Sequence, residues 1–308
     1  MRLIILSALL CLARLGGSQE TPAPTVPTVS VSAQAELLSD VLARIQEQTG
    51  ILIVAHPFAA KRRITVEVQD QPLPQALDTL AVAAVATWDS GYILLPAGGA
   101  YGPEGQPAGW VRPPQTTISL SGGTGTVDKI TNALTNLSAA PVGYLPELET
   151  VTVTTAPAKD VPLEQVLSQI KGDHLTWARG YWLAPIDRAA VFGRYANLSA
   201  EEREQRVLRH TEQMLRLNRD DVRQALEARH RDLAGLDAAT REAEIQRYAA
   251  EIRAGVDVLN AVSHETRDKA REAMQIFFEI GLEVYRDLTE EEQLETTPII
   301  EAMGELQR

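Results

Sequence analysis

Thr87-Trp88-Asp89-Ser90-Gly91-Tyr92-Ile93-Leu94-Leu95-Pro96 lies against Thr176-Trp177-Ala178-Arg179-Gly180-Tyr181-Trp182-Leu183-Ala184-Pro185. Thr, Trp, Gly, Tyr, Leu and Pro coincide at an offset of 89 residues. Upstream, Pro72-Leu73-Pro74-Gln75-Ala76-Leu77 matches Pro162-Leu163-Glu164-Gln165-Val166-Leu167 at an offset of 90. A nearly constant offset over two separated stretches is the mark of an internal repeat. Two copies of one small module, residues 29–96 and 116–185, account for it.

Each copy reads into the same elements. In the first, Val29 to Val31 is a short strand, and Leu37, Leu38, Val41, Leu42 and Ile45 recur at helical spacing up to Gly50. Ile51 to Val54 is a buried strand. Ile64, Val66 and Val68 alternate with polar residues, as on a strand with one wet face. Pro72 and Pro74 open a second helix, where proline costs no hydrogen bond. Thr87-Trp88 and Tyr92 to Leu95 are then the arms of a hairpin about Ser90-Gly91. In the second copy Ile118 and Leu120 begin the module, and Ile130, Leu134 and Leu137 mark its first helix. Val151 to Val153 alternates, Leu163 to Ile170 is the second helix, and Trp177 to Leu183 is the hairpin. The order is β-α-β-β-α-β-β, an α+β unit. The Trp88/Tyr92 and Trp177/Tyr181 pairs are the candidate partner-binding residues, either as a surface for stacking peptides or sugars or as rings packed over a helix.

The copies are separated by a Gly/Pro-rich linker, residues 97–115, read as a flexible tether in which Trp110 is free to pin a neighbouring domain. Ser121-Gly122-Gly123-Thr124-Gly125-Thr126 precedes a helix but lacks the Gly-Lys-Ser/Thr ending of a phosphate loop, so it reads as a strand-to-helix loop.

The apolar helix, Gln48-Thr49-Gly50, the apolar and alternating strands, the helix opening at Pro72-Leu73-Pro74-Gln75-Ala76-Leu77 and the closing hairpin together resemble the secretin/TonB short N-terminal domain. The likeness covers Val29 to Pro96, and Thr116 to Pro185 less closely, with Asn136-Leu137-Ser138 in place of the Gln-Thr-Gly turn. The resemblance implies a periplasmic docking module that binds an envelope or outer-membrane protein, and it implies no catalysis. The chain departs from whole secretins and receptors in having no long amphipathic β-barrel sequence after the modules.

From Leu198 the sequence is helical and strongly charged, with one proline, Pro298. Capping-box pairs Ser199/Glu202 and Thr289/Glu292, with Asn218, Asp237 and Ser263, predict helices over 200–217, 219–234, 238–261, 264–286 and 290–306. Ile245, Tyr248, Ile252, Val256 and Leu259 form one apolar stripe, and Met274, Phe277, Phe278, Ile280, Leu282 and Tyr285 a wider one, as in a helical bundle over 198–308. Leu198-Ser199-Ala200-Glu201-Glu202 and Leu288-Thr289-Glu290-Glu291-Glu292-Gln293 faintly resemble the repeated motif of LTxxQ periplasmic helical chaperones.

At the other end, Met1-Arg2, the apolar run Leu3 to Leu12 and the small residues Gly16 to Ser18 read as a signal peptide over 1–19, followed by a Pro-rich linker over 20–28. The expectation is export to a bacterial periplasm, either free or associated with the outer membrane. The apolar run is too short to favour a stable membrane span. Cys11 is the only cysteine, so no disulfide frames the mature chain.

The composition is globular, 44% hydrophobic and 23% charged, which excludes a wholly disordered chain. With 29 basic and 41 acidic residues the net charge is −12, against a nucleic-acid partner. Catalytic spacing is missing as well. The five histidines form no His-x-x-x-His, no Gly-x-Ser-x-Gly elbow occurs, and His210, next to Arg209, reads as a solvated histidine. No cofactor or metal is expected. The reading is a non-enzymatic docking protein, with a helical chaperone or stress sensor and a peptidoglycan or glycan binder as the alternatives.

Overall fold

The computed structural model describes residues 26–113, 117–172, 174–185 and 192–306 of the 308-residue chain. The segment read as a signal peptide lies outside them, as does most of the Pro-rich linker. The fold is mixed α and β: repeated N-terminal modules followed by a region of several helices.

The first copy runs β1 (Thr28–Leu37), α1 (Leu38–Thr49), β2 (Ile53–Ala55), α2 (Pro57–Ala60), β3 (Arg63–Pro72), α3 (Leu73–Ala83) and β4 (Ala86–Pro96). The second runs β5 (Thr117–Leu120), β6 (Gly123–Thr126), α4 (Val127–Ser138), β7 (Val142–Tyr144), a 3-10 turn (Pro146–Leu148), β8 (Thr152–Thr155), β9 (Ala158–Pro162), α5 (Leu163–Ser168) and β10 (Leu175–Pro185). The repeat holds at the level of single dihedrals. Asp70 and Asp160 are both left-handed (φ 48° and 52°), as are Val85 and His174 (φ 49° and 58°). Each Asp is held the same way: Ser30 Oγ donates to Asp70 Oδ1 at 3.0 Å, and Ser119 Oγ donates to Asp160 Oδ1 at 3.2 Å. The glycine-rich run before α4 is strand rather than loop. Gly123 to Thr126 pairs antiparallel with Thr152 to Thr155, after a break at Gly122 (φ 73°).

The expected hairpins do not form. β4 and β10 are each unbroken, and they pair with one another antiparallel from Ala86↔Pro185 to Pro96↔Leu175. Gly91 faces Gly180 near the centre of this ladder. Neither glycine has a left-handed φ, so neither makes a turn. A Cβ on Gly91 would sit 2.4 Å from Pro141 O, and one on Gly180 would sit 2.5 Å from Leu52 O. The glycine is needed for close approach of backbone, which the local sequence signals in the same way as a turn.

The inner strands complete the exchange. β2 of the first copy pairs parallel with β10 of the second, and β7 of the second with β4 of the first, giving the sheet order β2-β10-β4-β7. Tyr181 and Leu183 therefore enter the core of the first copy, beside Leu38, Ile45 and Leu77. Tyr92 and Leu94 enter the core of the second, beside Leu134 and Trp177. Burial of apolar area is the main stabilising term, and here each copy obtains part of it from the other. The copies are thus interlocked, not two independent modules on a string.

The linker is packed as well. The Trp110 ring is buried, and its Nε1 lies 3.3 Å from Gly91 O and 3.1 Å from Gly180 O. Ser90 Oγ donates to Val111 O at 2.5 Å. The expected flexible tether is, through residues 106–111, a strap across the centre of the strand pair.

After a short 3-10 turn (Phe192–Tyr195) come α6 (Ala200–Leu215), α7 (Arg219–Ala234), α8 (Ala238–Asn260), α9 (His264–Arg286) and α10 (Glu290–Leu306). The predicted starts are reproduced. Ser199 and Glu202 form a capping box, and the side chains of Asn218, Asp237 and Ser263 accept from first-turn amides. Val207, Ile252, Leu259, Phe277 and Ile280 share one core, which also takes in Val85 and Ala139 at the two module surfaces. Among the described residues, no helix is long and apolar enough to cross a membrane.

Candidate functional site

The four aromatic residues singled out in the sequence are brought together in crossed pairs. Trp88 of the first copy meets Tyr181 of the second edge-on, with centroids 5.5 Å apart and planes at 71°. Tyr92 meets Trp177 at 5.6 Å and 73°. Both are favourable edge-to-face arrangements. All four are buried: Trp88 is 7% exposed, Tyr92 4%, Trp177 5% and Tyr181 1%. They cannot stack an external peptide or sugar, which corrects the surface reading. Burial pushes the Tyr181 phenol up to about 12 and raises that of Tyr92 further, so both stay protonated at neutral pH.

The polar handles of these rings differ between the copies. Trp88 Nε1 donates to Asp78 Oδ1 at 2.7 Å, and Trp177 Nε1 donates to Ser168 Oγ at 3.1 Å. Tyr92 OH donates to Glu164 at 2.9 Å, and Arg179 donates to the same oxygen at 3.0 Å. Burial pushes the Glu164 carboxyl up, but these two donors outweigh it and hold it below the ordinary carboxylate value. The repeat partner of Glu164 is Pro74, which offers no acceptor to Tyr181, and the buried Tyr181 OH makes no hydrogen bond among the described residues.

A second polar cluster joins the modules to the helices. Asp89 on β4 is buried and accepts from Arg206 and from Arg209 on α6, the latter at 3.3 Å. The Arg209 guanidinium lies 4.5 Å from the Trp88 ring centroid, and Gln213 Nε2 donates to Trp88 O at 3.4 Å. Desolvation and the neighbouring Arg209 push the Arg206 guanidinium down to about 10. His210 is also buried, against the expectation of a solvated ring. It stacks on Tyr195 at 5.5 Å, hydrogen-bonds the Tyr195 hydroxyl, and lies 3.1 Å from Arg194 Nη2. Desolvation first, and then Arg194, Arg209 and Arg206, hold its pKa well below the ordinary histidine value. The charged residues around it masked this inward face in the sequence. The cluster offers a neutral imidazole and a neutralised carboxylate. Among the described residues, no group of three or more His, Cys, Asp or Glu is placed to hold a metal ion.

The outer strand edges differ in the way a docking site requires. In the first copy, α1 covers the edge of β1 with side chains. Gln48 Nε2 donates to Ser30 O at 3.0 Å while Gln48 Oε1 accepts from Ser30 N at 3.4 Å, and Arg44 Nη1 donates to Ser32 O at 3.2 Å. The Gln48 amide thus takes the place of a neighbouring strand. In the second copy the repeat partners of Arg44 and Gln48 are Ala133 and Leu137, which have no such donors. Ser119 occupies the place of Ser30, and among the described residues no side chain bonds its backbone. Leu137, on the helix that packs against β5, is 36% exposed. An edge with unpaired backbone groups and an apolar neighbour is a template for strand addition. The structure sets Leu137-Ser138-Ala139 against Gln48-Thr49-Gly50, one residue on from the register expected in the sequence: Gly50 and Ala139 are both left-handed (φ 66° and 56°), and Thr49 and Ser138 both bond the carbonyl four residues before them.

Compared with known protein families, curated proteins and solved structures, the chain matches none.

Proposed function

We propose that this chain is an exported, non-catalytic docking protein of a bacterial envelope, and that an extended segment of a partner adds as a strand to the outer edge of β5. The contrast between the two edges carries this reading: the β1 edge is closed by Gln48 and Arg44, and the β5 edge has Leu137 and Ala133 in their places. Main-chain bonds to β5 supply affinity in this mode, and the exposed Leu137 side chain offers an apolar contact for selectivity. The resemblance to secretin/TonB short N-terminal domains supports an envelope or outer-membrane protein as the partner. The buried Asp89–Arg206 contact ties the helical region to the central strand pair of the modules.

The test transplants the closed edge. Ala133→Arg together with Leu137→Gln installs the first copy's caps at two exposed positions. The variant is expected to keep its thermal midpoint and to lose the partner that the unaltered protein retains on capture from its native envelope. Retention of the same partner by the folded double variant overturns the reading.

A further inference from the structure

Helices α7 to α10 line a half-open pocket of about 130 Å³, and two of its residues, Arg229 and Tyr248, also face the module junction. Leu226 and Leu233 of α7, Phe277 and Val284 of α9, and Ile299 and Met303 of α10 supply its apolar wall. Arg229, His230, Glu244, Tyr248, Tyr285 and Thr296 bring its polar groups, and His230 Nε2 lies 3.2 Å from a Glu292 oxygen. Apolar side chains that line an open recess forgo the packing contacts a filled core would give them.

Two residues maintain the void at the expense of their own helices. Gly281 lines the cavity in the interior of α9. Glycine there costs about 0.5–1 kcal/mol relative to alanine. Its φ is not left-handed, and a Cβ would meet only Met303, at 3.8 Å, an ordinary contact. Neither backbone conformation nor crowding requires glycine, and what its missing side chain provides is room. On the facing helix, Pro298 lies inside α10 between the lining residues Thr296 and Ile299. It removes one backbone donor and presses on the carbonyl four residues before it, which weakens the helix at this wall.

We propose that the helical region is a binding site for a small apolar molecule of the size of one aromatic ring. A concave wall that is mainly apolar and carries a few polar groups is the ordinary make-up of a small-molecule site, and about 130 Å³ gives room for one ring. This inference is independent of the docking reading, since the cavity lies in a different part of the chain from the β5 edge.

Toluene is the probe, added to the full chain in sealed cells and followed by the thermal midpoint and by the chemical shift of the Gly281 amide. The unaltered protein is expected to gain thermal stability with a saturable shift of that amide. Gly281→Leu fills the cavity and is expected to weaken toluene binding about tenfold or more with helical circular dichroism retained. Gly281→Ala is the milder control. It is expected to raise the midpoint without ligand, by removing the glycine penalty, and to weaken toluene binding to a smaller extent. If Gly281→Leu does not fold, the alanine variant decides. Absence of a toluene response in the unaltered protein, or an undiminished response in folded Gly281→Leu or in Gly281→Ala, overturns the proposal.

Discussion

Arg206 on the first long helix and Asp89 on the central strand pair meet as an ion pair whose side chains are only 10% and 7% exposed. Asp89 also receives Arg209. Two guanidinium groups therefore depend on one carboxylate, at the contact between helices and modules. Asp89→Ala leaves the buried Arg206 without its carboxylate, while Arg209 keeps its contact with the Trp88 ring, and we expect a loss of about 3–5 kcal/mol in urea denaturation. Replacement of Arg206 by Met removes charge and keeps volume, so it is expected to cost less than Asp89→Ala. The reverse order would contradict the assignment of Asp89 as the shared anchor.

The exchange of strands predicts that a single copy is not a folding unit. Residues 26–113 alone lack Tyr181 and Leu183, which fill the first core. This fragment is expected to remain unfolded as a monomer, or to fold only by pairing β4 with β4 of a second fragment. Analytical ultracentrifugation with nuclear magnetic resonance checks this. A well-dispersed monomer spectrum would count against the interlocked cores.

Gly91 and Gly180 are expected to be equally intolerant of alanine. Each Cβ would meet a backbone carbonyl at 2.4–2.5 Å, and a backbone group cannot rotate away as a side chain can. We expect each substitution to lower stability by about 1–3 kcal/mol, read as a fall in the urea midpoint. A neutral result at either site would show that the strand pair has slack.

Acid should weaken the junction through His210. Its folded pKa lies well below the ordinary value, so below about pH 6.5 the unfolded chain binds a proton that the folded chain does not. Stability is complete above that pH and falls as pH drops, by about 1.4 kcal/mol per unit until the folded pKa is reached. Urea midpoints at pH 7.5 and pH 5.5 measure it, and His210→Gln is expected to flatten the dependence. An equal acid response in the variant would assign the effect to other groups.

The repeat, the order of elements and the helix starts were legible because each is local. Ser199, Asn218, Asp237 and Ser263 announce first turns within four residues of sequence. What local reading missed is which strand pairs with which. Ser90-Gly91 satisfies the statistics of a hairpin, but the same glycine also serves where Pro141 O approaches the strand, and only the partner distinguishes the two. The repeat pairs Trp88 with Trp177 and Tyr92 with Tyr181, yet the burial of all four depends on the exchange and is not legible in the repeat. His210 was misread for a related reason, because its charged neighbours Arg206 and Arg209 turn toward a buried Asp89 that is more than a hundred residues away in sequence.

The docking claim is tested most directly by a photo-reactive amino acid placed at Ser119 and, in a separate protein, at Ser30. The two positions are repeat equivalents, so each controls for the other. The account predicts one discrete crosslinked partner from position 119 in the native envelope and none from position 30, whose edge Gln48 already covers. No adduct from position 119, or the same adducts from both positions, would contradict it.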